Sequence, residues 1–183
     1  MEEPKLAIGD GGMGFWSALR EVYPQTREQR CWVHKTANVL NQLPKKLHPM
    51  AKKMLQEIYL SPDKAQAERG IGRFVNVFED KYPKAVKSLT KDAEELLTFY
   101  DFPAAHFQHI RTTNPIESSF STIRLRTKKM RNCGNRKTTL AMLYKLSQQV
   151  EKGWRKLRGF KEIPYVLEGM PYLDGSRMEN AVV

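Results

Sequence analysis

Leu6-Ala7-Ile8-Gly9-Asp10-Gly11-Gly12-Met13-Gly14 is the stretch that decides the fold class. Three apolar residues make a short strand, and the glycines that follow make a tight turn. Phe15, Trp16, Ala18, Leu19 and Val22 then recur at helical spacing until Pro24 stops them. Strand, turn and helix in that order predict an α/β fold. Arg30-Cys31-Trp32-Val33 predicts a second short strand, and His34 to Leu43 a helix that stops at Pro44. Asp10 stands at the carboxyl end of the first strand, where open α/β sheets place ligands and catalytic groups. An Asp also shapes glycine turns, and both roles stay open for it.

Downstream the pattern is helical and the chain as a whole reads as mostly helical. Between Pro44 and Pro103, Met50, Met54, Leu55 and Ile58 line one helical face. Ser61 is expected to cap a helix opened by Pro62 and carrying Phe74, Val75 and Phe78. Ala85, Val86 and Leu89 form a further turn or two, and Thr90 is expected to start a helix containing Leu96, Leu97 and Tyr100. Asn114 and Pro115 suit the first positions of a helix running to about Met130, with Ile116, Phe120 and Ile123 on its core face. After a break at 132–135, Leu143, Leu146, Val150, Trp154 and Leu157 form an apolar stripe. Beyond Phe160, Pro164, Gly169, Pro171 and Gly175 predict a loop-like tail. The expected segments are thus 1–43, 44–110, 111–160 and 161–183. Two strands rarely make a stable sheet alone, so the pair is expected to belong to a sheet that starts further upstream.

The chain has 183 residues and is 40% hydrophobic, enough for a core and against global disorder. No apolar run approaches the roughly 18 residues of a membrane span, and Met1-Glu2-Glu3-Pro4 is unlike a secretory signal. Cys31 and Cys133 suggest no disulfide framework, which fits a reducing cytosol. The net charge of +11 is concentrated: from Ala104 to Phe160 there are 13 Lys and Arg residues against Glu117 and Glu151, so the remainder is neutral. Such a block points to a polyanionic partner.

Several motifs compete. Gly9 to Gly14 matches the dinucleotide fingerprint, but the second strand ends on Cys31-Trp32-Val33-His34 rather than an acid, and no further strand–helix–strand units follow. Cys31-x-x-His34 has a zinc-like spacing without a second ligand pair; His48, His106 and His109 offer none. Glu117 falls three residues after Asn114, a capping-box position. It also shares a face with Ser121, Arg124 and Lys128, where a carboxylate beside cations would suit a metal next to a phosphate. Arg124, Arg126, Lys128, Lys129, Arg131, Arg136 and Lys137 form an acid-free stretch suited to phosphate contact, or to a solvated helix face.

Four blocks together resemble the mutator-type insertion-sequence transposases of bacteria: 6–11, Arg30 to His34, Arg111 to Ser118, and Arg124 to Lys128. The resemblance runs from about Leu6 to Phe160. It implies the C-terminal portion of a ribonuclease-H-like core with an all-helical insertion, and an Asp-Asp-Glu set that holds Mg2+ or Mn2+. Asp10 matches the second Asp, Glu117 the Glu, Arg124 a basic residue two turns on, and Cys31 with His34 a family pair of open role. The family's first Asp would lie upstream of Met1, so weak metal binding and little strand transfer are expected of this chain alone. The implied partners are element-end and target DNA, further copies or full-length transposase, and no membrane; the implied location is the bacterial cytoplasm, at the nucleoid. A noncatalytic DNA-binding remnant and a basic RNA- or ribosome-binding helical module are the alternatives.

Overall fold

The computed structural model describes residues 2–129 and 135–178. Its elements are β1 (Leu6–Gly9), α1 (Met13–Val22), β2 (Arg27–Arg30), α2 (Trp32–Leu40), α3 (His48–Tyr59), α4 (Lys64–Phe78), α5 (Pro83–Thr90), α6 (Ala93–Leu97), α7 (Phe107–Ile110), α8 (Asn114–Lys129), α9 (Arg136–Glu151), α10 (Ile163–Leu167), β3 (Tyr172–Leu173) and β4 (Ser176–Arg177). The fold is mostly helical with two small sheets, compatible with an α/β fold. The chain divides into two compact units, residues 1–113 with 158–183, and residues 114–157.

In the first unit β1 and β2 pair in parallel, Leu6 with Arg27 through Gly9 with Arg30. The second strand therefore lies earlier than the expected Arg30–Val33. Arg27-Glu28-Gln29-Arg30 carries no apolar signal, yet Gln29 is fully buried with its amide satisfied. Its Nε2 donates to Leu96 O and Arg30 O, and its Oε1 accepts from Phe99 N. Cys31 instead sits at the N-terminus of α2, and Trp32, Lys35 and Val39 point inward at helical spacing. The apolar Cys-Trp-Val run is thus a helix start.

The core lies mainly among the helices α2 to α6. Trp32 and Val39 join Leu55, Ile58, Phe74, Phe78, Leu89, Leu96, Phe99 and Tyr100 in one buried cluster. Each such side chain stabilises the fold by about 1.5–3 kcal/mol relative to exposure. Gly70 on α4 lets α3 approach closely, since a Cβ there would lie 2.9 Å from Ile58 Cγ1. Two expected helix starts are corrected. Asp63, not Ser61, caps α4, accepting from Gln66 N at 2.7 Å. Its carboxylate offers the acceptor at the right place, while Ser61 Oγ donates back to Glu57 O. Thr90 ends α5 rather than starting a helix, its hydroxyl donating to Val86 O.

The tail is not loop-like up to residue 178. α10 is followed by the antiparallel hairpin β3–β4. Its turn residues Asp174 and Gly175 have φ of 49° and 81°, a primed hairpin turn that Asp-Gly favours. Gly175 N donates to Tyr100 O and Ala104 N to Gly175 O, both at 3.0 Å. Asp174 Oδ1 accepts from Lys64 N at the start of α4. These bonds fasten the hairpin to Tyr100, Ala104 and the start of α4.

The second unit is the helix pair α8 and α9, which pack on each other. Asn135 caps α9, its Oδ1 accepting from Thr138 N at 2.9 Å. The helix ends at Glu151, so Trp154 and Leu157 of the expected stripe lie beyond it. α9 buries no residue completely, and Phe120 on the expected core face of α8 is exposed. The sequence periodicity marks an apolar side that this unit does not itself cover.

Candidate functional site

Asp10 immediately follows β1 and is exposed. Its Oδ1 accepts from Gly12 N at 3.1 Å, closing a small turn through Gly11, whose φ of 108° suits only glycine. The residue thus shapes the turn and still presents a carboxylate to solvent. Two side chains hold the turn from below. Trp16, buried on α1, packs against Gly9, where a Cβ would fall 2.6 Å from its ring. Arg30, the register partner of Gly9, lays its guanidinium against Gly11, where a Cβ would overlap Nη2.

Arg30 belongs to a charged cluster that sequence reasoning missed. Its Nη2 lies 3.2 Å from Asp92 Oδ2, and the same oxygen accepts from Lys35 Nζ. Lys35 is 1% exposed and also donates to Ser88 O at 2.7 Å. Burial pulls the Lys35 ammonium below its ordinary range, and Asp92 only partly opposes this. Burial pushes the Asp92 carboxyl up, but the Lys35 hydrogen bond and the charges of Lys35, Arg30 and Lys91 outweigh it and leave it lowered. The only sequence signal was proximity: Arg30 and Lys35 flank the Cys31–His34 pair.

Cys31 is buried at the start of α2. Its amide donates to Gly9 O at 2.8 Å, and its sulfur accepts from Thr113 N at 3.3 Å and Thr113 Oγ1 at 3.4 Å. Burial pushes the thiol up, but hydrogen bonding by Thr113 and His34 leaves it below its ordinary range. Cys31 and His34 are therefore brought together, and Thr113 joins them. Trp32 N donates to Arg111 O, and the Arg111 guanidinium donates to Tyr59 O and Phe107 O. Arg111, part of the basic block by sequence, is spent inside the fold.

In the second unit Glu117 lies in the first turn of α8 and is exposed, as are Ser121, Arg124 and Lys128 on the same face. Arg126 and Lys129 on α8 are exposed too, and so are Arg136 and Lys137 in the first turn of α9. Arg131 and Cys133 lie outside the described residues. Cations in the last turn of α8 complement its dipole, whereas Arg136 and Lys137 oppose that of α9. A pair of cations placed against a helix dipole fits an anionic partner better than it fits helix stability. Among the described residues no three or more His, Cys, Asp or Glu side chains converge as a metal cluster. Among them also, no helix is long and apolar enough to cross a membrane.

Residues 1–157 match the model of the Mutator family of transposases. The chain belongs to that family. It is 51% identical over 172 residues to the transposase for insertion sequence element IST2 of Acidithiobacillus ferrooxidans, covering 94% of this chain and 58% of that protein. It is 48% identical over 180 residues to the transposase for insertion sequence element IS6120 of Mycolicibacterium smegmatis, covering 98% and 56%. The transposase for insertion sequence element ISRM5 of Rhizobium meliloti is 28% identical over 150 residues, covering 82% of this chain and 38% of that protein. The chain spans a little over half the length of the first two relatives. The family match takes in Asp10, Cys31, His34, Glu117 and the basic residues of α8 and α9, and ends just before Arg158.

Proposed function

We propose that this chain is the C-terminal catalytic part of an insertion-element transposase, and that Asp10 and Glu117 are two of the carboxylates that hold its divalent cation. The observation that carries the reading is the exposed Asp10 carboxylate at the carboxyl end of β1, in a chain that matches the Mutator family over residues 1–157. The β1–α1–β2 arrangement then corresponds to part of a ribonuclease-H-like core, and α3 to α7 to its helical insertion. Both carboxylates are exposed and offer hard oxygen ligands of the kind Mg2+ and Mn2+ take; Mg2+ is commonly held by one or two carboxylates together with substrate phosphates. The bound cation supplies Lewis-acid activation of the phosphodiester and of the attacking oxygen.

The chain's own residues do the rest. Asp10, held by its bond to Gly12 N, presents its carboxylate in a fixed turn. Glu117 projects from the first turn of α8. Arg124, Arg126, Lys128 and Lys129 on α8, with Arg131, Arg136 and Lys137, neutralise the DNA backbone. Cleavage at element ends and strand transfer belong to the longer protein, since a third carboxylate is needed to bring enough negative charge for two cations beside a phosphate. The chain's setting is the bacterial cytoplasm, at the DNA, with further copies or a full-length transposase as partners.

Salt-dependent binding to duplex DNA tests the nucleic-acid side of this reading. Affinity should fall linearly on a log–log plot, and Arg124→Ala with Lys128→Ala should reduce the slope by roughly 1 each. An RNA duplex that duplex DNA cannot displace would assign the chain to RNA instead.

A further inference from the structure

We propose that Arg30 is a positioning residue for Asp10: lying over the Trp16 ring and tied to Asp92, its guanidinium fixes the turn that presents the carboxylate. The inference rests on the reading of Asp10 as a metal-binding residue.

The two glycines that flank Asp10 are each covered by one side chain. The Trp16 ring fills the space beside Gly9, and the Arg30 guanidinium fills the space beside Gly11. The two fillers also meet, with Arg30 Cζ 5.9 Å from the Trp16 ring centroid. Asp10 therefore stands between two backbone points that cannot move inward. Outward movement of Gly11 would break the Gly12 N–Asp10 Oδ1 bond that orients the carboxylate.

Arg30 is itself held in place from the far side. Its Nη2 is anchored on Asp92, which Lys35 holds in turn. The side chain is only 11% exposed, and its Nε is buried with no hydrogen-bond partner among the described residues. Trp16 Nε1 is buried in the same unsatisfied state. A buried donor left unmet costs stability. An aliphatic residue at position 30 would avoid that cost, so stability alone does not account for this choice. What the planar guanidinium provides is a flat surface against a glycine and a rigid link to Asp92. Arg30 thus acts one step further out than a partner bonded to the carboxylate, through the backbone of Gly11.

The test uses 15N-labelled chain and MnCl2, with the broadening of the Gly11 and Gly12 amide signals as the readout. Arg30→Lys keeps the charge and loses the plane. We expect it to weaken Mn2+ binding at this turn by roughly 10-fold, the range typical of such orienting partners. The comparison is made at a temperature where both proteins are folded. A residue that served only stability would lower the unfolding temperature and leave the Mn2+ midpoint of the folded protein unchanged. Trp16→Leu, which removes the surface beneath the guanidinium, is the second variant and should weaken Mn2+ binding in the same direction. Wild-type Mn2+ midpoints in whichever of the two variants folds would overturn the proposal. Asp10→Asn separates the two levels. If Asp10→Asn leaves the broadening intact, the metal-binding reading of Asp10 fails; if it abolishes the broadening while Arg30→Lys does not, only the role of Arg30 fails.

Discussion

Asp92 is the residue on which the buried charges next to Asp10 depend. It offers one oxygen to both Arg30 and Lys35, and Lys35 has no other ionic partner among the described residues. Its carboxyl is lowered in the fold, so its contribution to stability is complete above the unfolded value of about 3.9 and is lost as pH falls through the lower folded value. Asp92→Asn removes this acid-dependent contribution and leaves Lys35 buried without a counterion. The expected cost at pH 7 is about 3 kcal/mol, the lower end of the range for breaking a buried pair, because Asp92 keeps 20% exposure. Urea unfolding of both proteins at pH 7 and pH 3 checks it: the gap should narrow at pH 3. Spacing and recognisable blocks drew attention to Asp10, Glu117, Cys31 and His34, and of these the fold brings Cys31 and His34 together. Arg30, Lys35, Asp92 and Thr113 were not legible, because their partners are 57 to 82 residues distant in sequence. Charge at such positions reads as surface until the fold pairs it.

Among the elements, α4 gives the sharpest contrast. Gly70 and Gly72 are two residues apart in the same helix, yet only Gly70 faces a neighbour, Ile58 of α3. Gly72 has open space where its Cβ would be. Gly72→Ala should therefore stabilise the protein by about 0.5–1 kcal/mol through helix propensity alone. Gly70→Ala gains the same propensity but overpacks against Ile58, a penalty of about 1–3 kcal/mol, so its net effect is destabilising. Thermal melts of the two variants should move in opposite directions. The existence of α1, α3, α4, α8 and α9 was readable because their apolar residues recur at helical spacing. β2 was misplaced because its one buried side chain is an amide, Gln29, which carries no hydrophobic signal. The β3–β4 hairpin was missed although Asp174-Gly175 is a turn signal, because strands of two residues have too few positions to alternate.

For the whole molecule, the segment boundaries drawn from sequence separate what the fold joins. Gln29 and Trp32 bond to Leu96 O, Lys35 to Ser88 O, and the hairpin to Tyr100 and Ala104. The strand pair, the helices α2 to α7 and the tail up to residue 178 therefore form one unit, while α8 and α9 form another. The basic block follows the second division: Arg111 is used inside the first unit, and the exposed cations of α8 and α9 lie in the second. Composition located the charge but not which cation was already spent. On the proposed reading, Asp10 and Glu117 hold a divalent cation that serves DNA. The most direct test of that reading is the affinity for a short DNA duplex at constant ionic strength, with and without Mg2+, for the wild type, Asp10→Ala and Glu117→Ala. Mg2+ should tighten binding by the wild type, and each substitution should remove that gain while keeping the salt dependence. If all three proteins bind alike and ignore Mg2+, the chain is a basic DNA-binding protein in which Asp10 shapes a turn and Glu117 serves the start of a helix.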